Sequence, residues 1–208
     1  MLKSGMVAHA STCRDAARAA ELRTGIPKGL LAAIGRVESG SWSWSVNSNG
    51  IEPGQRFNSV DDAERYAQGQ LATGNRMIDL GCFQIDLLYH QELFTQWQDA
   101  FDSERNAQAA AGILSQLHQR TGNWDRAVAL YHSADPNRGQ SYLQLVKAAW
   151  TGFNAQLDND SVPASPEAYG AAAIAYAFGV AVWVPGMAGP TRRAAHGGAH
   201  ALPNVVTP

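Results

Sequence analysis

One acidic side chain stands on an otherwise apolar helical stripe. Glu38 follows Leu30, Leu31 and Ile34 at spacings of eight, seven and four residues, which places all four side chains on one helix face. A bare charge in an apolar setting costs several kcal/mol, so such a carboxyl raises its pKa or finds hydrogen-bond donors. A carboxylic acid kept neutral near pH 7 is suited to general acid catalysis. The spacing equally fits a solvated carboxylate at a helix end beside Ser39-Gly40.

A tyrosine raises a similar question. Tyr131 shares a predicted helix face with Trp124, Ala127 and Val128, so its ring should be buried. A buried phenol usually finds a hydrogen-bond partner. That partner is either a functional group or, for a core tyrosine, a backbone carbonyl.

Motifs for other chemistries are missing from the sequence. It contains no His-Glu-x-x-His, no Cys-x-x-Cys, no P-loop and no Gly-x-Ser-x-Gly elbow. Its six histidines are scattered, with His90, His118 and His132 in separate segments and the others near the two ends. We therefore expect neither a metal site nor a cofactor.

Length and composition predict one compact domain and a tail. The chain has 208 residues, of which 45% are hydrophobic, and 16 basic side chains against 18 acidic ones give a net charge of −2. These values are not those of a disordered protein. The charge balance also argues against nucleic-acid binding through bulk electrostatics. We expect a folded domain over residues 11–157 and an Ala/Gly/Pro-rich tail over residues 158–208.

The domain is predicted to be mainly α-helical. A first helix, Cys13 to Arg23, can be capped by Ser11 or Thr12, and Pro27 suits the first turn of the second helix. A third helix follows a capping box at Ser59. Apolar periodicity predicts further helices over residues 87–101, 104–119, 123–132 and 140–153.

A small β-hairpin should interrupt the helices. Between Trp42 and Phe57, Trp42, Trp44 and Val46 alternate with polar residues, and Asn49-Gly50 and Pro53-Gly54 are turn signals. The segment from Met77 to Ile85 contains glycine and shows no regular period, so it is predicted to be an irregular loop.

The two ends of the chain carry separate expectations. Residues 1–10 resemble the remnant of a signal peptide, with Lys3 followed by a small-x-small pattern, although the apolar stretch is too short for a working signal. The C-terminal tail is predicted to be disordered. Its uncharged stretch, residues 168–191, followed by Arg192-Arg193, leaves a membrane-spanning or interfacial segment as the alternative.

Four blocks of sequence, in order over residues 12–152, resemble the soluble-lytic-transglycosylase (SLT) domain family. Residues 26–40, which contain Glu38-Ser39, resemble its Glu-Ser helix. Residues 79–85 resemble its Gly-Leu-Met-Gln block, and Ala127 to His132 resemble its Ala-Tyr-Asn block. Residues 139–146 are similar to its closing Tyr-x-x-x-Val helix.

The resemblance implies a lysozyme-like, mainly α fold and a glycan substrate. That substrate is the peptidoglycan strand, cut between N-acetylmuramic acid and N-acetylglucosamine. The match to the Glu-Ser motif implies that Glu38 is the sole acid/base, which protonates the leaving oxygen and then deprotonates the C6 hydroxyl. The products would carry 1,6-anhydromuramoyl ends, with the 2-acetamido group in place of a second carboxylate.

The resemblance also implies roles for other side chains. Tyr131 would hold the carboxyl of Glu38, Ser39 would orient the sugar, and Gln84 would hydrogen-bond it. His132 replaces the usual asparagine, and Tyr142 lines the cleft or belongs to the core. The full set of substrate-binding candidates is Ser39, Asn47, Gly81, Phe83, Gln84, His132 and Tyr142.

Peptidoglycan lies outside the cytoplasmic membrane, so the resemblance implies export to the periplasm. In that compartment Cys13 and Cys82 could form a disulfide, the alternative being two buried thiols. The long segment between Gly40 and Asp79 resembles that of small transglycosylases that accompany secretion or pilus machines.

Two rival functions remain at this point. A lysozyme-type hydrolase would use water and a second carboxylate, for which Asp79 and Asp86 are candidates. A non-catalytic peptidoglycan-binding subunit of a secretion apparatus would need neither.

Overall fold

The computed structural model describes residues 11–48 and 51–158, and these form a mainly helical domain. Seven α-helices and a small antiparallel sheet make up the described part, which confirms the mainly α prediction. Residues 1–10, 49–50 and 159–208 lie outside it, and with them the predicted signal remnant, the Asn49-Gly50 turn signal, most of the predicted tail and the segment 168–191. Within the described ranges, no helix combines the length and apolar character needed to cross a membrane.

The first helix, α1 (Cys13–Thr24), begins and ends at local signals. Thr12 caps it by accepting a hydrogen bond from the Asp15 backbone N–H at 3.2 Å. Gly25 ends it in the left-handed conformation, with φ of 73°. Its alanine face is buried, which lets neighbouring helices approach closely.

The second helix, α2 (Leu30–Ser39), begins later than predicted. Pro27 lies in the preceding turn, where its carbonyl accepts from the Leu30 N–H, and is not part of the helix. The free N–H groups at the start of α2 are satisfied by Glu21 of α1. Its carboxylate accepts from Gly29 at 2.8 Å and from Ala32 at 3.1 Å.

The sheet has four antiparallel strands in the order β2-β1-β3-β4. The predicted hairpin is present as β1 (Ser45–Ser48) and β2 (Ile51–Arg56). The predicted irregular loop is wrong, because it contains β3 (Ile78–Leu80) and β4 (Ile85–Asp86). These strands are too short to show a period of their own, and β3 forms by pairing with β1.

Five more α-helices lie in the described ranges, with one departure from the prediction. They are α3 (Val60–Ala72), α4 (Leu87–His90), α5 (Ser103–Thr121), α6 (Trp124–His132) and α7 (Pro136–Asp158). The predicted continuous helix over residues 87–101 is instead α4 followed by 3-10 helices at Gln91–Leu93 and Trp97–Phe101. Phe94 breaks it by adopting an extended conformation that buries its ring.

The turn between β3 and β4 is packed against the middle of α2. The ring of Phe83, fully buried, lies over Gly35, where a Cβ would approach Phe83 Cε1 to 2.7 Å. A disulfide between Cys13 and Cys82 joins the same turn to the start of α1. The β3–β4 turn is therefore held against α2 by packing and is tied to α1 by a covalent bond.

Candidate active site

Glu38 lies in the last turn of α2, between the buried core and solvent. Its neighbours Val37 and Ser39 are buried, whereas Glu38 is half-buried. Helix α2 ends immediately afterwards, where Gly40 adopts φ of 65° and donates its N–H to the Arg36 carbonyl. Burial raises the pKa of Glu38 from about 4.5 to about 7. At neutral pH the carboxyl can therefore both give and accept a proton.

Tyr142 of α7 is the hydrogen-bond donor to this carboxyl. Its hydroxyl donates to Glu38 Oε1 over 2.6 Å, and its ring is 1% exposed. Donation to the carboxylate lowers the pKa of Glu38 and so opposes the larger effect of burial. The carboxyl is therefore oriented by a rigid core side chain.

Tyr131 does not make the contact that the resemblance implies for it. Its hydroxyl donates to the Phe83 carbonyl at 2.9 Å, as expected of a core tyrosine. Burial and the nearby carboxylates of Glu38 and Asp79 raise its pKa, so it borders the site. The carboxyl contact belongs to Tyr142 because α7, not α6, packs over the end of α2 at this point.

The imidazole of His132 packs face to face against the ring of Tyr142. The two rings stack with centroids 4.6 Å apart and an interplanar angle of 7°. Its Nε2 is buried and has no hydrogen-bond partner within the described part of the chain. Burial, reinforced by Arg138, lowers the pKa of His132 to about 4, so the imidazole is neutral near pH 7.

Ser39 connects α2 to the β3–β4 turn and does not reach the cleft. It is 1% exposed, and its hydroxyl donates to the Cys82 carbonyl at 2.7 Å while accepting from the Trp42 N–H at 3.0 Å. The hydroxyl of Ser39 thus makes structural contacts at the residue next to Glu38, and its expected contact with sugar stays a prediction.

Two residues of the β3–β4 turn have a positive φ. Gly81 has φ of 80°, and a Cβ there would approach Asn106 Nδ2 to 2.7 Å. Gln84 is one of two non-glycine residues with positive φ in the described ranges, at 49°. Its Nε2 donates to the Gly81 carbonyl at 2.8 Å. Gly81 and Phe83 are buried, whereas Gln84 is partly exposed, and the sugar contacts expected of all three stay predictions.

Asn106 of α5 supports this turn and was missed by the sequence analysis. Its side chain is fully buried, accepts from the Phe83 N–H at 2.8 Å and donates to the carbonyls of Leu80 and Ala100. The available signal was a polar residue four positions before Ala110, on the apolar face of α5.

Two aspartates extend the site along the sheet. Asp79 and Asp86 are directly opposite each other on β3 and β4. Asn47 of β1 donates to Asp79 Oδ2 at 3.1 Å. Burial, then the charges of Asp86 and Glu38, raise the pKa of Asp79 well above its usual range. Burial also raises the pKa of Asp86. The predicted candidate Asn47 therefore contacts a carboxyl group near Glu38.

Comparison with known protein families agrees with this geometry. The family model described as "Transglycosylase SLT domain" matches residues 15–148, which is more than half of the chain. The chain belongs to the transglycosylase SLT domain family. No curated protein and no solved structure matches it.

Membership of the SLT family defines the general function of the chain. An SLT domain has a lytic-transglycosylase-type function, and its substrate is peptidoglycan. The matched range begins within α1 and ends within α7, so it contains the whole Glu38 site. In the described ranges no three His, Cys, Asp or Glu side chains are grouped as a metal site would require.

Proposed function

We propose that this SLT domain is a lytic transglycosylase that uses Glu38 as its single acid/base. The observation that carries the proposal is the half-buried carboxyl of Glu38, whose pKa is raised to about 7 and which accepts a hydrogen bond from Tyr142. The bond cut is the β-1,4 link between N-acetylmuramic acid and N-acetylglucosamine.

One proton moves twice in the proposed reaction. Protonated Glu38 gives its proton to the glycosidic oxygen as the C1–O4 bond breaks, and the 2-acetamido carbonyl oxygen bonds to C1. The Glu38 carboxylate then takes the proton of the muramoyl C6 hydroxyl. The freed O6 attacks C1 and displaces the acetamido oxygen, which closes the 1,6-anhydro ring. Glu38 ends protonated, so the cycle needs no water.

The burial of the two aspartates, which disfavours their ionised forms, favours this route over hydrolysis. A lysozyme-type mechanism calls for a second carboxylate that is ionised beside the cleaved bond. Asp79 and Asp86, the candidates for it, both have raised pKa values because they are buried. Participation by the substrate's own acetamido group needs no such charge.

A purely binding role is less well supported by the site. Keeping a carboxyl dry costs folding free energy, and strongly shifted groups of this kind cluster at catalytic centres.

We also propose that the protein acts in the periplasm. Peptidoglycan is located there, and a disulfide such as Cys13–Cys82 persists in oxidising compartments. The hairpin and α3, which fill the segment between Gly40 and Asp79, are the element that we propose adapts the domain to a secretion or pilus machine.

Mass spectrometry of the reaction products tests the proposed chemistry. Purified peptidoglycan incubated with the full chain should release fragments with anhydromuramoyl ends. These fragments are lighter by one water than the reducing ends left by a muramidase, which serves as the reference digest. Reducing ends alone would make the protein a hydrolase. Binding to peptidoglycan without any released fragment would make it a binding subunit.

A further inference from the structure

The hydrogen bond between Tyr142 and Glu38 depends on where the Tyr142 ring lies. Donor and acceptor are 2.6 Å apart, and a displacement of 1 Å would lengthen the contact beyond hydrogen-bonding range. Tyr142 belongs to α7 and Glu38 to α2, so no local backbone geometry links the two. Some packing contact must hold the phenol in place.

Helix α6 approaches α7 closely at this position. A Cβ on Gly139 of α7 would come within 3.0 Å of the carbonyl oxygens of Ala129 and Ser133. The close approach brings Tyr142, three residues after Gly139, against His132 at the end of α6. The parallel stack of the two rings is the resulting contact.

We propose that His132 is a positioning residue for catalysis, whose ring holds Tyr142 in the orientation that donates to Glu38. This inference rests on the proposed function of Glu38. His132 contacts Tyr142 through the face of its imidazole. The Nε2 atom of that ring has no hydrogen-bond partner in the described part of the chain.

His132 does not act on Glu38 through its charge. His132 is neutral near pH 7, with Arg138 as the charged group that faces it. The groups that face Glu38 are Tyr142 from α7, Tyr131 from α6 and Asp79 from β3. A neutral substitute at position 132 therefore removes no charge from the site. A rise in the pKa of Glu38 then reports loss of its hydrogen bond, because greater exposure to water would lower that pKa instead.

The test measures the Glu38 titration and the kinetics in matched variants. Tyr142→Phe removes the donor and should raise the pKa of Glu38 by about one unit, because the hydroxyl stabilises the carboxylate. His132→Asn, which keeps a polar side chain but loses the ring, should shift the pKa in the same direction. It should also lower kcat about tenfold and leave KM nearly unchanged.

Two further variants separate the stack from other effects. His132→Phe keeps an aromatic face and should restore the parent titration and most of kcat. His118→Asn breaks the stack between His118 and Trp124, whose centroids are 3.8 Å apart in α5 and α6, and should change neither quantity. If His132→Asn folds poorly, His132→Leu keeps the apolar volume without the ring and provides the same comparison.

The outcomes distinguish this inference from the proposed function. ¹³C NMR of labelled carboxyl groups, assigned by difference with Glu38→Gln, reads the titration without any assay of activity. A parent-like titration and kcat in both His132→Asn and His132→Leu would overturn the positioning role. Equal impairment of His132→Phe would do so as well. Full activity in Glu38→Gln would instead overturn the proposed function.

Discussion

Glu38→Gln should abolish the release of fragments from peptidoglycan. The amide can neither protonate the leaving oxygen nor deprotonate the C6 hydroxyl, and general acid–base catalysis of this kind contributes about 10²- to 10⁴-fold. Folding should survive, because Tyr142 can still donate to the amide oxygen. The measurement is the rate of soluble muropeptide release, together with the thermal unfolding temperature.

The substitution Glu38→Gln should also change how the stability of the domain depends on pH. The pKa of Glu38 is about 7 when folded and near 4.5 when unfolded, so the unfolded chain ionises first as pH rises. Ionisation of Glu38 therefore destabilises the parent as pH rises from about 4.5 through 7. Glu38→Gln lacks this effect, and at pH 7 we expect it to unfold at the same temperature as the parent or higher.

A second buried glutamate provides the matched control. Glu21 is 4% exposed, and its carboxylate accepts from the Gly29 and Ala32 N–H groups at the start of α2, whereas Glu38 lies in the last turn of that helix. Glu21→Gln places an amide NH₂ against one of these donors and should lower the unfolding temperature while leaving the activity of the folded protein unchanged. If Glu21→Gln lost as much activity as Glu38→Gln, the result would contradict a catalytic role that is specific to Glu38.

Loss of the disulfide should strongly destabilise the domain. The bond joins residues 69 positions apart, and closing a loop of that length restricts the unfolded chain by about 4 kcal/mol in the chain-entropy treatment. We expect the double variant Cys13→Ser, Cys82→Ser to lose a large part of that free energy of unfolding in urea denaturation. The new hydroxyls face Ser43, 3.4 Å from Cys13 Sγ, and Ser103, 3.6 Å from Cys82 Sγ.

Reduction of the parent protein is the control for this variant. Both lack the covalent link, so both should unfold at a midpoint well below that of the oxidised parent. Thiol titration of the denatured, unreduced parent should find no reactive thiol. Two reactive thiols, or a double variant as stable as the oxidised parent, would contradict the bridge.

Local signals predicted the helices well where caps and breakers stand in the sequence. Thr12, Ser59 and Gly25 mark the ends of α1 and α3 at or near the residues that the sequence indicates. The predicted continuous helix over residues 87–101 was wrong because no glycine or proline marks the break. There, burial of the Phe94 ring in an extended segment outweighs helix propensity.

The position of Glu38 was predictable from spacing, but its partners were not. Periodicity places the carboxyl on an apolar stripe, whereas the choice between the hydroxyls of Tyr131 and Tyr142 depends on which of α6 and α7 packs over the end of α2. The resemblance pointed to Tyr131, and the contact is made by Tyr142, which is 104 residues from Glu38. Ser39 shows the same limit, because its hydroxyl donates to the carbonyl of Cys82, which is far from it in the sequence.

The pKa of Glu38 tests the central claim most directly. The carboxyl ¹³C shift of Glu38, followed by NMR against pH and assigned by its absence in Glu38→Gln, should titrate near pH 7. Such a value leaves comparable amounts of acid and base at neutral pH, as a group that both gives and takes the proton requires. Titration near 4.5, the ordinary value for a solvated glutamate, would show that the carboxyl is not kept dry and would contradict the account.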